Sequence, residues 1–201
     1  MKCNNMNKLV CVVGMTGSGK TEITDFFKKR NYQYLRFGQI TLDEVKRRKL
    51  EPTEENERPI REENRRQHGP AAYAILNSLK FDELLKSGSV IGDGLYSWSE
   101  YKYLREKYGE QFLVVAVYAA PQTRYARLAH RAERYQNDPN LIYRSATVEQ
   151  AQARDFAEIE NIEKGGPIAM ADFTIINEGT VAELNQQLAV IYQKINDINQ
   201  D

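Results

Sequence analysis

Short apolar runs alternate along this chain with longer stretches in which apolar residues recur every three or four positions. The runs lie at residues 9–13 (Leu-Val-Cys-Val-Val), 32–37, 90–93, 112–118 and 172–176. The run at 112–118 is apolar almost throughout, the pattern of a parallel strand covered on both faces. Between them the spacing predicts helices. One covers 21–30, with Ile23, Phe26 and Phe27 on one side, and another 41–49, with Leu42, Val45 and Leu50 inward. A third covers 71–85, with Ala72, Ile75, Leu76, Leu79 and residues 81–85 partly buried, and a fourth 98–107. Pro121 suits the first turn of the next helix. Thr147-Val-Glu-Gln150 and Thr180-Val-Ala-Glu183 have capping-box spacing and open two more. The last carries Leu184, Leu188, Ile191, Ile195 and Ile198 on one face. Strand followed by helix, about five times over, predicts a doubly wound α/β fold with a mostly parallel sheet. Ligands then bind at the carboxyl ends of the strands, where Gly14, Arg36, Asp93 and Asn177 fall.

One stretch breaks the pattern. Residues 51–69 are polar and charged, with Arg58, Arg61, Arg65 and Arg66 among glutamates and no apolar stripe. That excludes it from the core and leaves two readings, a solvated helix pair or a mobile insertion that closes over an anion. Composition adds little: 201 residues are enough for one ordinary domain with its own core. Basic and acidic residues balance at 28 each, which argues against a nucleic-acid coat or an anionic membrane partner. Two cysteines, Cys3 and Cys11, make a disulfide framework unexpected and a reducing, cytoplasmic setting the default. No run approaches the length of a membrane-spanning helix, and the N-terminal run does not read as a secretory signal.

The most specific signal joins the first strand to the first helix. Gly14-Met15-Thr16-Gly17-Ser18-Gly19-Lys20-Thr21 matches G-x-x-x-x-G-K-[ST], the phosphate-binding loop, in the strand–loop–helix context it requires. The glycines let backbone N–H groups converge on an anion, and the helix N-terminus adds its unpaired donors. Lys20 reaches the β- and γ-phosphates of ATP, and the Thr21 hydroxyl holds Mg2+. Asp93 ends a strand beside this loop, where a carboxylate can hold a Mg2+-bound water or orient an attacking oxygen; Asp-Gly also makes ordinary turns. Arg124, Arg127, Arg131 and Arg134 recur along roughly one helical face, and with Arg144 and Arg154 they could clamp phosphate oxygens or pair with nearby acids. Arg36, Arg61, Arg65 and Arg66 are candidates for an acceptor's own phosphate. His68 and His130 have no companion cluster, so zinc is not expected.

With these residues the chain resembles the P-loop kinases, specifically their dephospho-CoA-kinase-related and nucleoside monophosphate kinase branch. The likeness runs through the phosphate loop, Phe37-Gly-Gln-Ile-Thr41, residues 50–56 and 63–72, Val90-Ile-Gly-Asp-Gly94, the arginine helix, Gln152-Ala-Arg-Asp155, Ala171-Asp172 and Asn177-Glu-Gly-Thr180. It implies a P-loop kinase fold over residues 1–201, with an acceptor-binding insertion at 38–72 and a lid at 131–148. It implies ATP and Mg2+ as cofactors, with Arg127, Asn177 and Gly179 beside the nucleotide. Lys20, Asp93, Arg131 and Arg134 are implied at the transferred phosphate, with Thr21 and Asp93 as metal ligands. Arg36, Gln39, Arg61, Arg65 and Tyr96 are implied at a small phosphorylated acceptor, expected to be a nucleoside or deoxynucleoside monophosphate; no membrane or stable nucleic-acid partner is expected, and a homodimer is compatible. Two departures bear on the acceptor. Gly38-Gln39 stands where relatives have Gly-Asp, and Asp93-Gly-Leu-Tyr96 lacks the arginine that often follows. Dephospho-CoA, or another small molecule, is the alternative acceptor, and a non-catalytic ATP-binding module is the alternative function.

Overall fold

A computed structural model describes residues 6–131 and 145–197. Its five strands form one parallel sheet in the order β2-β3-β1-β4-β5. They are β1 (Leu9–Val13), β2 (Gln33–Arg36), β3 (Val90–Asp93), β4 (Phe112–Tyr118) and β5 (Phe173–Ile176). The helices are α1 (Lys20–Lys28), α2 (Gln39–Arg47), α3 (Glu54–His68), α4 (Ala72–Leu85), α5 (Trp98–Tyr108), α6 (Pro121–Ala129), α7 (Val148–Ile162), α8 (Gly165–Ala169) and α9 (Val181–Asp197).

The period-2 alternation of strand side chains divides the core between the two faces of the sheet. On one face Leu9, Cys11, Val13, Phe112, Val114 and Ala116 meet Phe81 of α4 and Leu104 of α5. On the other, Val10, Val12, Ile91, Val115 and Val117 meet Ile23 and Phe27 of α1 and Leu184, Leu188, Ile191 and Ile195 of α9. Every residue of β1 is buried, because it is central and covered on both sides. No described helix is long and apolar enough to cross a membrane.

Three expectations are corrected. Residues 54–68 form a single helix with one apolar anchor: Ile60 is 2% exposed, while its neighbours pair their charges at the surface. One isoleucine is enough to seat this helix against α2 and α4, although it gives no periodic signal. Leu79 is 80% exposed, because the inward face of α4 is Ala72, Tyr73, Asn77, Ser78, Phe81 and Leu85. Leu50, expected inward, is 42% exposed. Ile198 lies outside the described residues, as do Arg134, Arg144 and most of the 131–148 segment read as a lid.

The register sets up the site. Arg36 pairs with Asp93 across β2 and β3, and Val12 pairs with Asp93 across β1 and β3. The carboxyl ends of these three strands are therefore level, with the phosphate loop leaving β1 beside them.

Candidate active site

The loop between β1 and α1 is shaped by three glycines. Gly14, Gly17 and Gly19 have φ of 157°, 83° and 105°, in the region that side chains disfavour. Space demands glycine as well. A Cβ on Gly14 would lie 2.5 Å from the Val117 carbonyl oxygen, one on Gly17 2.8 Å from the Arg124 carbonyl, and one on Gly19 2.2 Å from Asn177 Nδ2. The backbone N–H of Ser18 donates to the Met15 carbonyl at 3.2 Å and closes the turn. Lys20 folds back over the loop, donating from Nζ to the carbonyls of Gly14 (2.8 Å) and Met15 (3.1 Å). Burial, then the charge of Lys164, brings its pKa down to about 7, against the pull of Glu158 and Asp93. Ser18 Oγ is buried without a hydrogen-bond partner. Thr16 is buried, and Thr21 is half-buried in the first turn of α1. The result is a preformed cradle whose lysine is parked on its own carbonyls.

Buried polar side chains brace this loop from behind. Arg124 is 4% exposed; it donates to the Thr16 carbonyl (3.1 Å) and the Ala119 carbonyl (3.0 Å), and forks onto Asp155 at 3.0 and 2.6 Å. Of the two readings of the arginine stripe, Arg124 takes the pairing with a nearby acid. It is a structural tie between the loop, α6 and α7. Asn177 follows β5 and donates from Nδ2 to the Ser18 carbonyl at 2.8 Å. Arg127 donates from Nη2 to the Asn177 carbonyl at 2.9 Å, and its Nη1 is buried without a partner. Gly179 lies in the exposed turn that Glu183 caps, its carboxylate accepting from the Thr180 N–H at 2.7 Å. Arg131 stands at the edge of the described residues and Arg134 beyond it.

At the tip of β3, beside the loop, Asp93 Oδ2 accepts from the Tyr34 hydroxyl at 2.9 Å. Arg36, half-buried at the tip of β2, keeps Nη1 buried without a partner. Tyr96 is packed edge-on to Tyr73, and a Cβ on Gly94 or Gly38 would stand 3.0 or 3.2 Å from its hydroxyl. Burial pushes that phenol up to about 12, with the Arg36 charge acting the other way. Glu100 holds the Asp93–Tyr96 turn by accepting from the N–H groups of Tyr96 (2.9 Å) and Ser97 (3.1 Å), and burial raises its carboxyl to about 7.

The remaining acceptor candidates are spent locally. Gln39 donates to Asp43 on its own helix at 2.8 Å. Arg61 donates to Glu54 and Glu57 on α3. Arg65 lies 5.7 Å from the centre of the Tyr73 ring.

Lys164 gives no sequence signal, whereas Arg154 reads in sequence as a phosphate clamp or a partner of nearby acids; the structure links both to Glu158. Lys164, 1% exposed, donates to Glu158 at 2.7 Å and lies 5.3 Å from the Tyr96 ring centre. Arg154, four residues before Glu158, donates to the same carboxylate from Nε at 3.1 Å. Lys164 is missed because a lysine beside Gly165-Gly166 reads as a helix-end residue.

Among the described residues no group of three or more His, Cys, Asp or Glu could hold a metal. Thr21 and Asp93 offer two oxygens, a set that suits Mg2+, which keeps several waters and takes further oxygens from phosphates.

The family model AAA_18, described as AAA domain, matches residues 10–171. The chain is 35% identical over 189 residues to the UPF0200 protein of Thermococcus gammatolerans, covering 93% of this chain and 95% of that protein. A UPF0200 protein of Methanocaldococcus jannaschii is 31% identical over 188 residues, covering 93% and 90%. Among solved structures, a gluconokinase from Sinorhizobium meliloti superposes with a TM-score of 0.57 at 13% identity, covering 97% of each chain. Shikimate kinase from Bacteroides thetaiotaomicron gives 0.54 at 12%, covering 94% of this chain and 98% of that one. These likenesses place the five-stranded parallel sheet and its flanking helices in the P-loop kinase fold. By the match over most of its length, the chain belongs to the AAA_18 family of AAA domains and to the UPF0200 proteins.

Proposed function

We propose that the protein is an ATP-dependent kinase that transfers the γ-phosphoryl group to a small phosphorylated acceptor, with a nucleoside or deoxynucleoside monophosphate favoured. The donor half rests on the cradle of Gly14, Gly17 and Gly19 and on Lys20, whose ammonium needs only to leave two backbone carbonyls to meet phosphate oxygens. The observation that carries the acceptor half is Arg36. Its unpartnered, buried Nη1 stands in register with Asp93, and a buried cationic donor without a partner calls for an anion.

In the transfer, an acceptor oxygen attacks the γ-phosphorus as the bond to the β–γ bridging oxygen breaks and ADP leaves. Lys20 follows the charge that shifts toward ADP, and Arg36 fixes the acceptor's own phosphate. Tyr34 fixes the Asp93 carboxylate at the tip of β3. Mg2+, held at Thr21 and Asp93, would supply neutralisation of the phosphate oxygens.

The test is a screen of nucleoside monophosphates and dephospho-CoA with ATP and Mg2+, following ADP release. Turnover dependent on a phosphorylated acceptor is expected. Arg36→Met should raise that acceptor's KM by about 10- to 100-fold, the scale of a lost charge-assisted hydrogen bond. Hydrolysis indifferent to every acceptor would overturn the proposal. Turnover of an unphosphorylated hydroxyl compound, unchanged by Arg36→Met, would move the protein to the other small-molecule kinases.

A further inference from the structure

Arg36 and Asp93 are placed to form an ion pair and do not form one. They are register partners across the parallel strands β2 and β3, and register partners in a sheet project to the same face. Opposite charges so placed attract, and ordinarily they close into a cross-strand pair. Among the described residues no ion pair engages either side chain, and Nη1 of Arg36 is buried without a hydrogen-bond partner. A desolvated guanidinium gains from the nearest carboxylate, so a carboxylate that stays apart from it must be restrained.

Tyr34 supplies the restraint. It lies two residues before Arg36 on the same face of β2, level with Ile91, so its side chain runs along the sheet to the diagonal neighbour Asp93. Its hydroxyl donates to Asp93 Oδ2 at 2.9 Å, and among the described residues it is the one hydrogen-bond donor to that carboxylate. The ring is steadied from α1, where the Lys28 ammonium stands 5.0 Å from its centre and pairs with Asp25 at 2.9 Å. A phenol is a neutral donor. It fixes the carboxylate without cancelling its charge, and it leaves the Arg36 guanidinium unspent. β2 is an edge strand and Tyr34 is 42% exposed, so the ring adds little to the core, and the hydroxyl is the part that this site uses.

We propose that Tyr34 is a positioning residue that holds Asp93 away from Arg36 and so keeps the guanidinium open to an anionic group of the acceptor. Without the hydroxyl, Asp93 turns to Arg36, and the protein's own carboxylate fills the anion subsite. The proposal rests on the reading of Arg36 as the contact for the acceptor's phosphate, but its first test needs no ligand.

That test is a crystal structure of Tyr34→Phe, which keeps the ring and should fold. A carboxylate oxygen of Asp93 is expected within about 4 Å of an Arg36 nitrogen, the reach of an ion pair. Asp93 still standing apart from Arg36 would overturn the proposal. The second test titrates inorganic phosphate into protein whose phosphate loop is filled with Mg·ADP, followed by phosphorus NMR. Tyr34→Phe should weaken phosphate binding by about 10-fold or more, the scale of a lost charge-assisted hydrogen bond. Tyr34→Phe/Asp93→Asn should bring it back to within about threefold of wild type, because an amide carries no charge to compete for Arg36. General damage to the site would instead deepen with the second substitution, so recovery is a signature that a merely structural role of Tyr34 does not give. Phosphate affinity unchanged in Tyr34→Phe, or a double variant no better than the single one, would overturn the proposal. Wild-type phosphate binding indifferent to Arg36→Met would overturn the acceptor half of the kinase reading, and the structure of Tyr34→Phe would still decide whether the hydroxyl keeps the two charges apart.

Discussion

The phosphate loop and the 38–72 segment are both rich in charge, yet they use it in opposite ways. At the loop the charged and amide side chains are buried and point at backbone. Arg124 holds the Thr16 carbonyl, Asn177 the Ser18 carbonyl and Lys20 the Gly14 carbonyl. On the insertion the charges are exposed and pair with one another. Arg47 and Arg48 share Glu44, Arg58 takes Glu62, and Arg61 takes Glu54 and Glu57. Buried polar ties in a low dielectric hold a fixed geometry, whereas exposed ion pairs are worth little and exchange readily with solvent. The loop is thus held in a fixed geometry, while the 38–72 segment is seated by Ile60, Val45 and Tyr73 and leaves its surface charges adaptable.

The comparison breaks most severely at Lys20. Lys20→Met should cut kcat/KM by about 1,000-fold or more while leaving the thermal midpoint close to wild type, because the lysine's work is on the phosphates. A loss below tenfold would remove it from the transfer.

Arg124→Met comes next and acts on stability. It leaves Asp155 buried without its cation and should cost about 3–5 kcal/mol in chemical denaturation, the scale for a broken buried pair. Arg124→Met/Asp155→Asn should recover part of that. An Arg124→Met protein as stable as wild type would refute its role as a tie.

Proton linkage gives a finer test. In the empty protein Lys20 titrates at about 7, against 10.5 for an unperturbed lysine, because burial and Lys164 disfavour its charge. Between those values the unfolded chain binds more protons than the folded one, so this group adds stability as pH rises through the window. ATP bound at the loop should restore the charge, so that at pH 8 binding takes up most of one proton. Calorimetry in buffers of different ionisation enthalpy measures this, and heats independent of buffer would show Lys20 already charged. The smallest effect belongs to the insertion: Arg61→Met should change stability by at most about 1 kcal/mol, with acceptor KM within about threefold of wild type. A larger rise in KM would restore Arg61 to the acceptor site.

Legibility in the sequence divides along the same line. The strands at 9–13 and 112–118 match β1 and β4 residue for residue, since central parallel strands must be apolar on both faces. The phosphate loop was legible because its chemistry demands glycines at fixed spacing. Arg124 and Arg127 look alike in sequence, three residues apart on one helix, yet one is buried against Asp155 and the other reaches the Asn177 carbonyl. Leu79 misled because an apolar residue near a helical stripe reads as core even when it lies on the outer face.

By itself, then, the sequence determined the alternation of strands and helices, the parallel sheet and the glycine-rich loop between β1 and α1. Each of these follows from local rules: hydrophobic period, turn chemistry, and the backbone freedom of glycine. The tertiary structure alone decided what each charged side chain does. Arg124, Arg61, Arg154 and Lys164 differ in their partners, and those partners lie 31 residues away for Arg124, within the same helix for Arg61 and Arg154, and across a reversed helix end for Lys164. A charge takes its role from burial and from the nearest opposite charge, and both are properties of the folded chain.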